Sequence, residues 1–294
     1  MKFCLISGKS GEDVKHIFID EAKKHFDTVL SVPLDSIRID CENGESRLFF
    51  KNTDLTTFDV VYVRVFENDF LFAEIVLDIL ESSGVYMPTF LDGYQITNHK
   101  FFTIQRIARI GAPVPDSVLA ITQEAALSAT KKIGFPIVLK LLRGFGGKGV
   151  MLVKSEDELR PILDTIKVFD ELLSAQRYIE TQATDVRALV IGEEVIGIRR
   201  RGQGGEFRAN VSAGGSAEIF DLDENTAEIA LNASRLLGLE ICAIDFIEAE
   251  HEPMVIEANF TPGIMPKYFG SDLAGKMLTY MKQRAEEQAF EEKY

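Results

Sequence analysis

Tryptophan is absent from this chain, and cysteine and histidine are scarce: three and four residues among 294. The cysteines, Cys4, Cys41 and Cys242, are odd in number and far apart, and two lie in apolar runs. That pattern reads as reduced thiols and not as a disulfide or metal framework. His16, His25, His99 and His251 show no metal-ligand spacing. No stretch approaches the roughly 18 apolar residues of a membrane span. The apolar start, Met1 to Gly8, lacks the length and cleavage site of a signal segment and reads as a first buried strand. A cytoplasmic protein with no membrane partner is the expectation. Basic residues are outnumbered, 32 against 46 acidic, for a net charge of −14. This argues against a nucleic-acid partner. It leaves room for a nucleotide, since a few cations in one cleft reverse the local sign. Internal repeats and low-complexity linkers are also missing.

What is present reads first as alternating strand and helix. Strands are expected over Lys2–Ile6, Thr28–Val32 and Phe58–Phe66, the last strongly β-branched and aromatic. Helices are expected over Glu12–Phe26 and Phe70–Ser82. This rhythm predicts a small parallel sheet with helices on its faces. One helix over Asp92–Ile110 should end at Gly111, and another over Thr122–Ile133 at Gly134. Strands Pro136–Leu142 and Gly149–Val153 flank a glycine-rich loop. Ser155 to Glu158 forms a capping box that opens a helix. Beyond residue 173 the pattern turns mostly to strand: Ala175–Ile179, Asp185–Ile191, Val195–Arg201, Ile241–Glu248 and Met254–Phe260. An amphipathic helix over Asn225–Leu237 interrupts them, and a last helix starts near Ser271.

Three features carry chemistry. Glu257 and Asn259 are two apart on a strand and so share a face. The short turn before them makes Asp245 a neighbour on the adjacent strand. Three oxygen donors then converge among apolar residues, where two carboxylates repel unless a cation lies between them. Such hard donors suit Mg²⁺, with Mn²⁺ as an alternative. The competing reading is the solvated polar side of a two-stranded ribbon.

The second feature is Lys140, embedded in the apolar strand PIVLKLL. An interior ammonium needs an anion, and a nucleotide phosphate is its natural partner. An outer-edge lysine is the bland alternative, and for Lys100, on a helix, a solvated lysine is the ordinary reading. Arg187, Arg199, Arg200, Arg201 and Arg208 add a concentration of positive charge within an acidic protein.

The third feature is the loop Arg143 to Gly149, with glycines at 144, 146, 147 and 149. It meets the spacing of a dinucleotide fingerprint but is followed by a strand where that motif requires a helix. It therefore reads as a hairpin tip able to cover phosphates. Ser7-Gly8-Lys9-Ser10 has the tail of a P-loop, but Phe3 stands where its first glycine belongs.

Taken together, DVRALVIGEEVIGIRRRGQGGEFRANVSAGGSAE, AEIALNASRLLGLEICAIDFIE and PMVIEANFTPG resemble the RimK-like branch of the ATP-grasp ligases. The similarity runs from about Thr97 to Lys276, with a weaker echo in Asp59–Arg64. The resemblance implies an ATP-grasp fold, α/β and α+β. A pre-ATP-grasp parallel-sheet domain (1–92) would precede two ATP-gripping subdomains (93–178 and 179–294). It implies that Lys100, Lys140, Gly144, Gly146 and Gly147 meet nucleotide phosphates, with Gln176, Tyr178, Ile179 and Glu180 at adenine and ribose. Asp185 and Arg187 match a DxR pair, Arg208 and Asn210 a catalytic segment beside the phosphates, and Asp245, Glu257 and Asn259 the Mg²⁺ ligands.

The implied activity is carboxylate–amine ligation through an acyl phosphate, with ATP and Mg²⁺ as cofactors. Glutamate or a similar amino acid would be added to a terminal carboxylate of a protein, peptide or cofactor. Alternatives are a ligase acting on an amino-acid-biosynthesis carrier protein, which the chain's acidity disfavours through repulsion, and a non-catalytic ATP-binding module. Association with a second copy of the chain stays open. The segment Ile264 to Gly270 departs from the pattern expected of ribosomal-protein glutamate ligases and bears on the acceptor.

Overall fold

A computed structural model describes residues 1–8, 12–65, 69–142, 149–168, 173–202, 215–249 and 252–291. The chain begins with β1 (Lys2–Ser7), α1 (Glu12–Ala22) and β2 (Thr28–Pro33). Next come β3 (Ile37–Glu42), β4 (Glu45–Phe50), β5 (Thr53–Asp54), β6 (Val60–Arg64) and α2 (Phe70–Ser82). β1 lies between β2 and β6 in a parallel sheet of order β2-β1-β6. The alternate residues of β1 enter two different cores, Cys4 and Ile6 on one face and Phe3 and Leu5 on the other. This is the double burial that a parallel sheet demands.

β3, β4 and β5 form a separate antiparallel meander, which the strand assignment from sequence omits. Its signal was Asn43-Gly44, both at positive φ (54° and 84°), as a two-residue hairpin turn requires.

α3 (Leu91–Thr97) and α4 (Lys100–Arg109) replace the single helix expected over 92–110. The break is at His99, whose extended backbone and ring Nδ1 cap α4 by accepting the Phe102 N–H at 3.2 Å. Lys100 thereby opens a helix instead of lying inside one.

A four-stranded antiparallel sheet follows, of order β7-β10-β8-β9. It comprises β7 (Ser117–Ala120), β8 (Ile137–Leu141), β9 (Val150–Val153) and β10 (Leu173–Arg177), with α5 (Gln123–Ile133) and α6 (Glu156–Val168). Ile137, Leu139, Val153 and Ala175 form its core together with Ile133 of α5 and Leu159 and Leu163 of α6. Val138, Lys140, Ser174 and Gln176 alternate with these residues and so line the opposite face.

The last unit is a five-stranded antiparallel sheet of order β13-β12-β11-β14-β15. Its members are β11 (Thr184–Ile191), β12 (Glu194–Arg201), β13 (Ser216–Ile219), β14 (Ile241–Glu248) and β15 (Pro253–Asn259). α7 (Glu224–Leu236) covers one face, where Val186, Ala188, Val190, Cys242 and Ile244 are buried with Ala230 and Ala233. α8 (Pro266–Phe269) and α9 (Asp272–Glu291) close the chain. On the other face Leu189, Ile191 and Ile241 pack with α9 and the N-terminal sheet. Along that same face, two and four residues back from Leu189, β11 carries Arg187 and Asp185. One sheet face is thus apolar at one end and charged at the other, and the charged end is the site.

Candidate nucleotide and metal site

The hairpin turn at Gly192 and Glu193 sets the register of β11 on β12, and Gly192 has φ +60° as the turn requires. Asp185 then falls opposite Arg200, and Arg187 opposite Asp245 of β14. Asp245 in turn faces Glu257 of β15, while Asn259 pairs with Ala243. The three predicted metal ligands therefore share one face of one strand pair, as their spacing requires.

Arg187 grips Asp245 with both arms of its fork, Nε to Oδ1 and Nη2 to Oδ2, each at 2.7 Å. Arg200 grips Asp185 in the same way at 2.6 and 2.7 Å, and its Nη2 also stands 3.1 Å from Asp245 Oδ2. The Asn259 amide donates to Asp245 at 3.4 Å. Burial by itself would raise the Asp245 carboxyl, but the Arg187 and Arg200 guanidiniums overcome it and hold the group at about 2. Asp185 moves the other way, raised by burial, with Arg200 opposing the shift and Asp245 adding to it.

On the facing sheet, the Lys140 ammonium reaches across and donates to the Ile256 carbonyl at 3.3 Å. The register slips between Asp245 and Phe246, whose partners are Glu257 and Val255, so Ile256 has no partner in the ladder. A bulge of this kind re-aims a backbone carbonyl. Desolvation lowers the Lys140 pKa to about 8, Glu257 and Asp245 oppose that shift, and Lys100 adds to it. Lys100 forms an ion pair with Glu257 at 2.9 Å. Gln176, on the Lys140 face, is buried and donates to Ser117 Oγ at 3.1 Å. Where the chain crosses between the sheets, Glu180 accepts from the Tyr178 hydroxyl at 2.8 Å and from the Gln182 N–H at 2.9 Å. Ile179 lies on the same crossing and is partly buried.

Four cationic side chains, Lys100, Lys140, Arg187 and Arg200, thus meet three carboxylates, Asp185, Asp245 and Glu257. The balance is positive inside a chain of net charge −14. Polyphosphate with a divalent cation fits such a set. The metal donors also fit. Asp245 keeps a lone pair on Oδ1 beyond its Arg187 contact, Glu257 keeps one oxygen beyond Lys100, and Asn259 keeps its amide oxygen. Arg200 was not singled out from sequence, because nothing in the run Arg199-Arg200-Arg201 distinguishes its members without the register. Gly144, Gly146, Gly147, Arg208 and Asn210 lie outside the described residues. Among the described residues, no helix is long and apolar enough to cross a membrane.

This arrangement of two α+β sheets gripping a cationic cleft behind a parallel-sheet domain is the ATP-grasp fold. The structure of the ATP-grasp ligase PsnB, complexed with a phosphomimetic variant of its minimal precursor, Mg and ADP, superposes with a TM-score of 0.76. That match covers 96% of this chain and 98% of the other at 15% identity, so it speaks for the fold.

The RimK-like ATP-grasp domain matches residues 97–281, and the chain belongs to that family. A probable alpha-L-glutamate ligase of Legionella pneumophila is 33% identical over 236 residues, covering 79% of this chain and 78% of that protein. The ribosomal protein bS6–L-glutamate ligase of Escherichia fergusonii is 31% identical over 245 residues, covering 82% of each. The protein is an ATP-dependent, ADP-forming carboxylate–amine ligase.

Proposed function

We propose that this ligase adds L-glutamate, or an amino acid like it, to a terminal carboxylate of a protein or peptide. The names of its relatives support glutamate as the added amino acid and a protein as the acceptor class. The observation that carries the site is the meeting of Lys140 with the carboxylate face of β14 and β15 across the cleft. Burial pushes that ammonium down to about 8 even with Glu257 and Asp245 nearby, and a bound phosphate would favour its charged form further.

In this reading Lys100 and Lys140 bind the nucleotide phosphates. Gln176, Tyr178, Ile179 and Glu180 lie along the adenine and ribose side, where Glu180 and the backbone supply polar edges. Asp245, Glu257 and Asn259 hold Mg²⁺, which when bound screens the phosphates and stabilises charge during phosphoryl transfer. Arg187 fixes the Asp245 rotamer, and Arg200 ties Asp185 to Asp245, so the metal ligands are preorganised before nucleotide arrives. A carboxylate is a poor acyl donor, and its phosphorylation supplies a leaving group for the attacking amine. Arg208 and Asn210 belong to the same proposal by their sequence match, as the glycine loop does for covering the phosphates.

The test is release of ADP and phosphate from Mg-ATP, with the amino acids added singly and a cell extract as acceptor. Stimulation by glutamate, with a matching mass increment on an extract component, is the expected result. Stimulation by a different amino acid corrects the donor. Tight ATP binding without turnover in any mixture counts against the ligation proposed here.

A further inference from the structure

The proposed site accounts for the charged groups between the two gripping sheets, but not for Arg64. Arg64 ends β6, and Ser7, its register partner, ends β1. In the order β2-β1-β6 the chain leaves β1 to one side for β2 and returns on the other for β6. The carboxyl ends of β1 and β6 therefore form the crevice where open parallel sheets bind ligands. Ser7 and Arg64 share the face that carries Leu5 and Tyr62 deeper in the sheet, so this face also turns from apolar to polar at one end.

Arg64 is only 5% exposed. Its guanidinium donates to the Tyr62 hydroxyl at 2.9 Å and to the Pro262 carbonyl at 3.2 Å. It also lies 4.6 Å from the ring centre of Phe18 and 5.3 Å from that of Tyr62. Two contacts to neutral oxygens leave three of five N–H donors for other partners. Among the described residues no carboxylate lies within ion-pair distance of Arg64. A buried guanidinium without an anion is expensive, and cation–π contacts offset only part of that. Ser7 Oγ, on the residue paired with Arg64 in the sheet, and Thr261 Oγ1, on the residue that precedes Pro262, lack partners among the described residues. Both residues are more than nine-tenths buried. Thr261 follows the proposed metal ligand Asn259 by two residues, so this group adjoins the end of the metal strand.

We propose that Arg64, Ser7 and Thr261 form an anion subsite that holds a carboxylate of the ligase's substrate against the end of the metal strand. A carboxylate there would give Arg64 its missing counter-charge and the two hydroxyls an acceptor. The inference rests on the ligase reading above. Its chemistry fits two sources, the carboxylate of the incoming amino acid and the carboxyl terminus of the acceptor.

The experiment is calorimetric titration of the full chain, saturated with Mg-AMPPNP, using L-glutamate in one arm and L-glutamyl-L-glutamate in the other. Arg64→Gln should weaken one probe by roughly 10- to 100-fold, the usual effect of losing a charged hydrogen bond, and leave AMPPNP affinity unchanged. Loss confined to the glutamate arm assigns the subsite to the incoming amino acid, and loss confined to the dipeptide arm assigns it to the acceptor. If Arg64→Gln does not fold, Ser7→Ala combined with Thr261→Val carries the test, with a loss of roughly tenfold or more expected for two hydroxyl–carboxylate hydrogen bonds. The proposal is overturned if the wild-type chain binds neither probe or if the variants bind both as tightly as wild type. It is also overturned if AMPPNP binding falls together with the probes, the mark of a structural tie to Pro262. A wild-type chain that binds a probe through Arg64 but forms no ADP sinks the ligase reading alone.

Discussion

Lys140 donates its ammonium to the carbonyl of Ile256, the one residue of β15 that the bulge beside Asp245 leaves without a register partner. A lysine on one gripping sheet and a carbonyl on the other thus close the cleft at the point where phosphate is proposed to bind. The pair is a placeholder, because a neutral carbonyl does not compensate a desolvated charge.

The first prediction is a pH effect on nucleotide affinity. The Lys140 ammonium is lowered to about 8, with desolvation the largest cause. It is charged below that pH and loses its proton above it. Phosphate favours the charged form and raises the pKa, so ATP binding takes up protons near and above pH 8. Between pH 8 and 9.5, where ATP itself is fully ionised, affinity should fall as pH rises, by at most roughly tenfold per unit. Calorimetry in buffers of different ionisation enthalpy measures both quantities. Lys140→Met should weaken binding at neutral pH and flatten the profile. A wild-type profile that is flat over that range would show that Lys140 does not face phosphate.

The same lysine shows how much of the site could be read in advance. A single cation inside PIVLKLL is conspicuous, and the two-residue spacing of Glu257 and Asn259 places both on one face by pleat geometry alone. Arg200 was less visible, since three arginines in a row look alike. The structure separates them by register: Arg199 packs over Phe220, Arg201 pairs with Glu218 in solvent, and Arg200 turns inward to Asp185. That outcome follows from the two-residue turn at Gly192 and Glu193, which fixes 185 opposite 200. The signal was present but needed the pairing to be counted out. The break at His99 was hidden for a different reason: a histidine capping a helix looks, in sequence, like any polar residue within one. The carboxylate preference of Arg64 was not legible at all, because it depends on which groups the fold withholds from it.

A second prediction concerns Glu257. Glu257→Gln is isosteric, and the amide oxygen still accepts from Lys100, which now lies 2.9 Å from the carboxylate. The fold should persist, with an unfolding midpoint within a few degrees of wild type. Turnover should fall by roughly 100-fold or more, the scale of losing one electrostatic stabiliser of the transition state. Raising Mg²⁺ should recover part of the loss, since a neutral ligand weakens the metal site without removing it. A folded variant with wild-type turnover would contradict the metal assignment.

The cysteines provide a third prediction that checks the packing independently of function. Cys4 and Cys242 are buried, and desolvation pushes both thiols well above the ordinary range, whereas Cys41 is exposed on β3. A thiol reagent at neutral pH should label one cysteine in the native chain and three after unfolding, because only an accessible thiolate reacts. Fast labelling of Cys242 would mean that the face of β14 against α7 is open.

The fourth prediction separates stability from preorganisation at Asp185 and Arg200. Both are nearly buried, with side chains 11% and 7% exposed, and their contact is a fork at 2.6 and 2.7 Å. Arg200→Met leaves Asp185 without its partner and removes one of the two guanidiniums on Asp245. It should destabilise the chain by roughly 3–5 kcal/mol. Asp185 is already raised by burial, so in this variant it should protonate at still higher pH, and part of the lost stability should return as pH falls toward 5. Asp185→Leu alone leaves Arg200 with Asp245 and should be milder. The double substitution Asp185→Leu/Arg200→Met removes both charges and should recover much of the stability lost in Arg200→Met, a strongly non-additive cycle in denaturant unfolding. Its turnover should nevertheless stay low. With only Arg187 left to hold Asp245, the carboxylate would have a second orientation open to it, and a metal site is sensitive to that freedom even when the fold is not. An additive cycle would show that the fork contributes nothing as a pair, and full activity in the stable double variant would show that Arg187 alone suffices to orient Asp245.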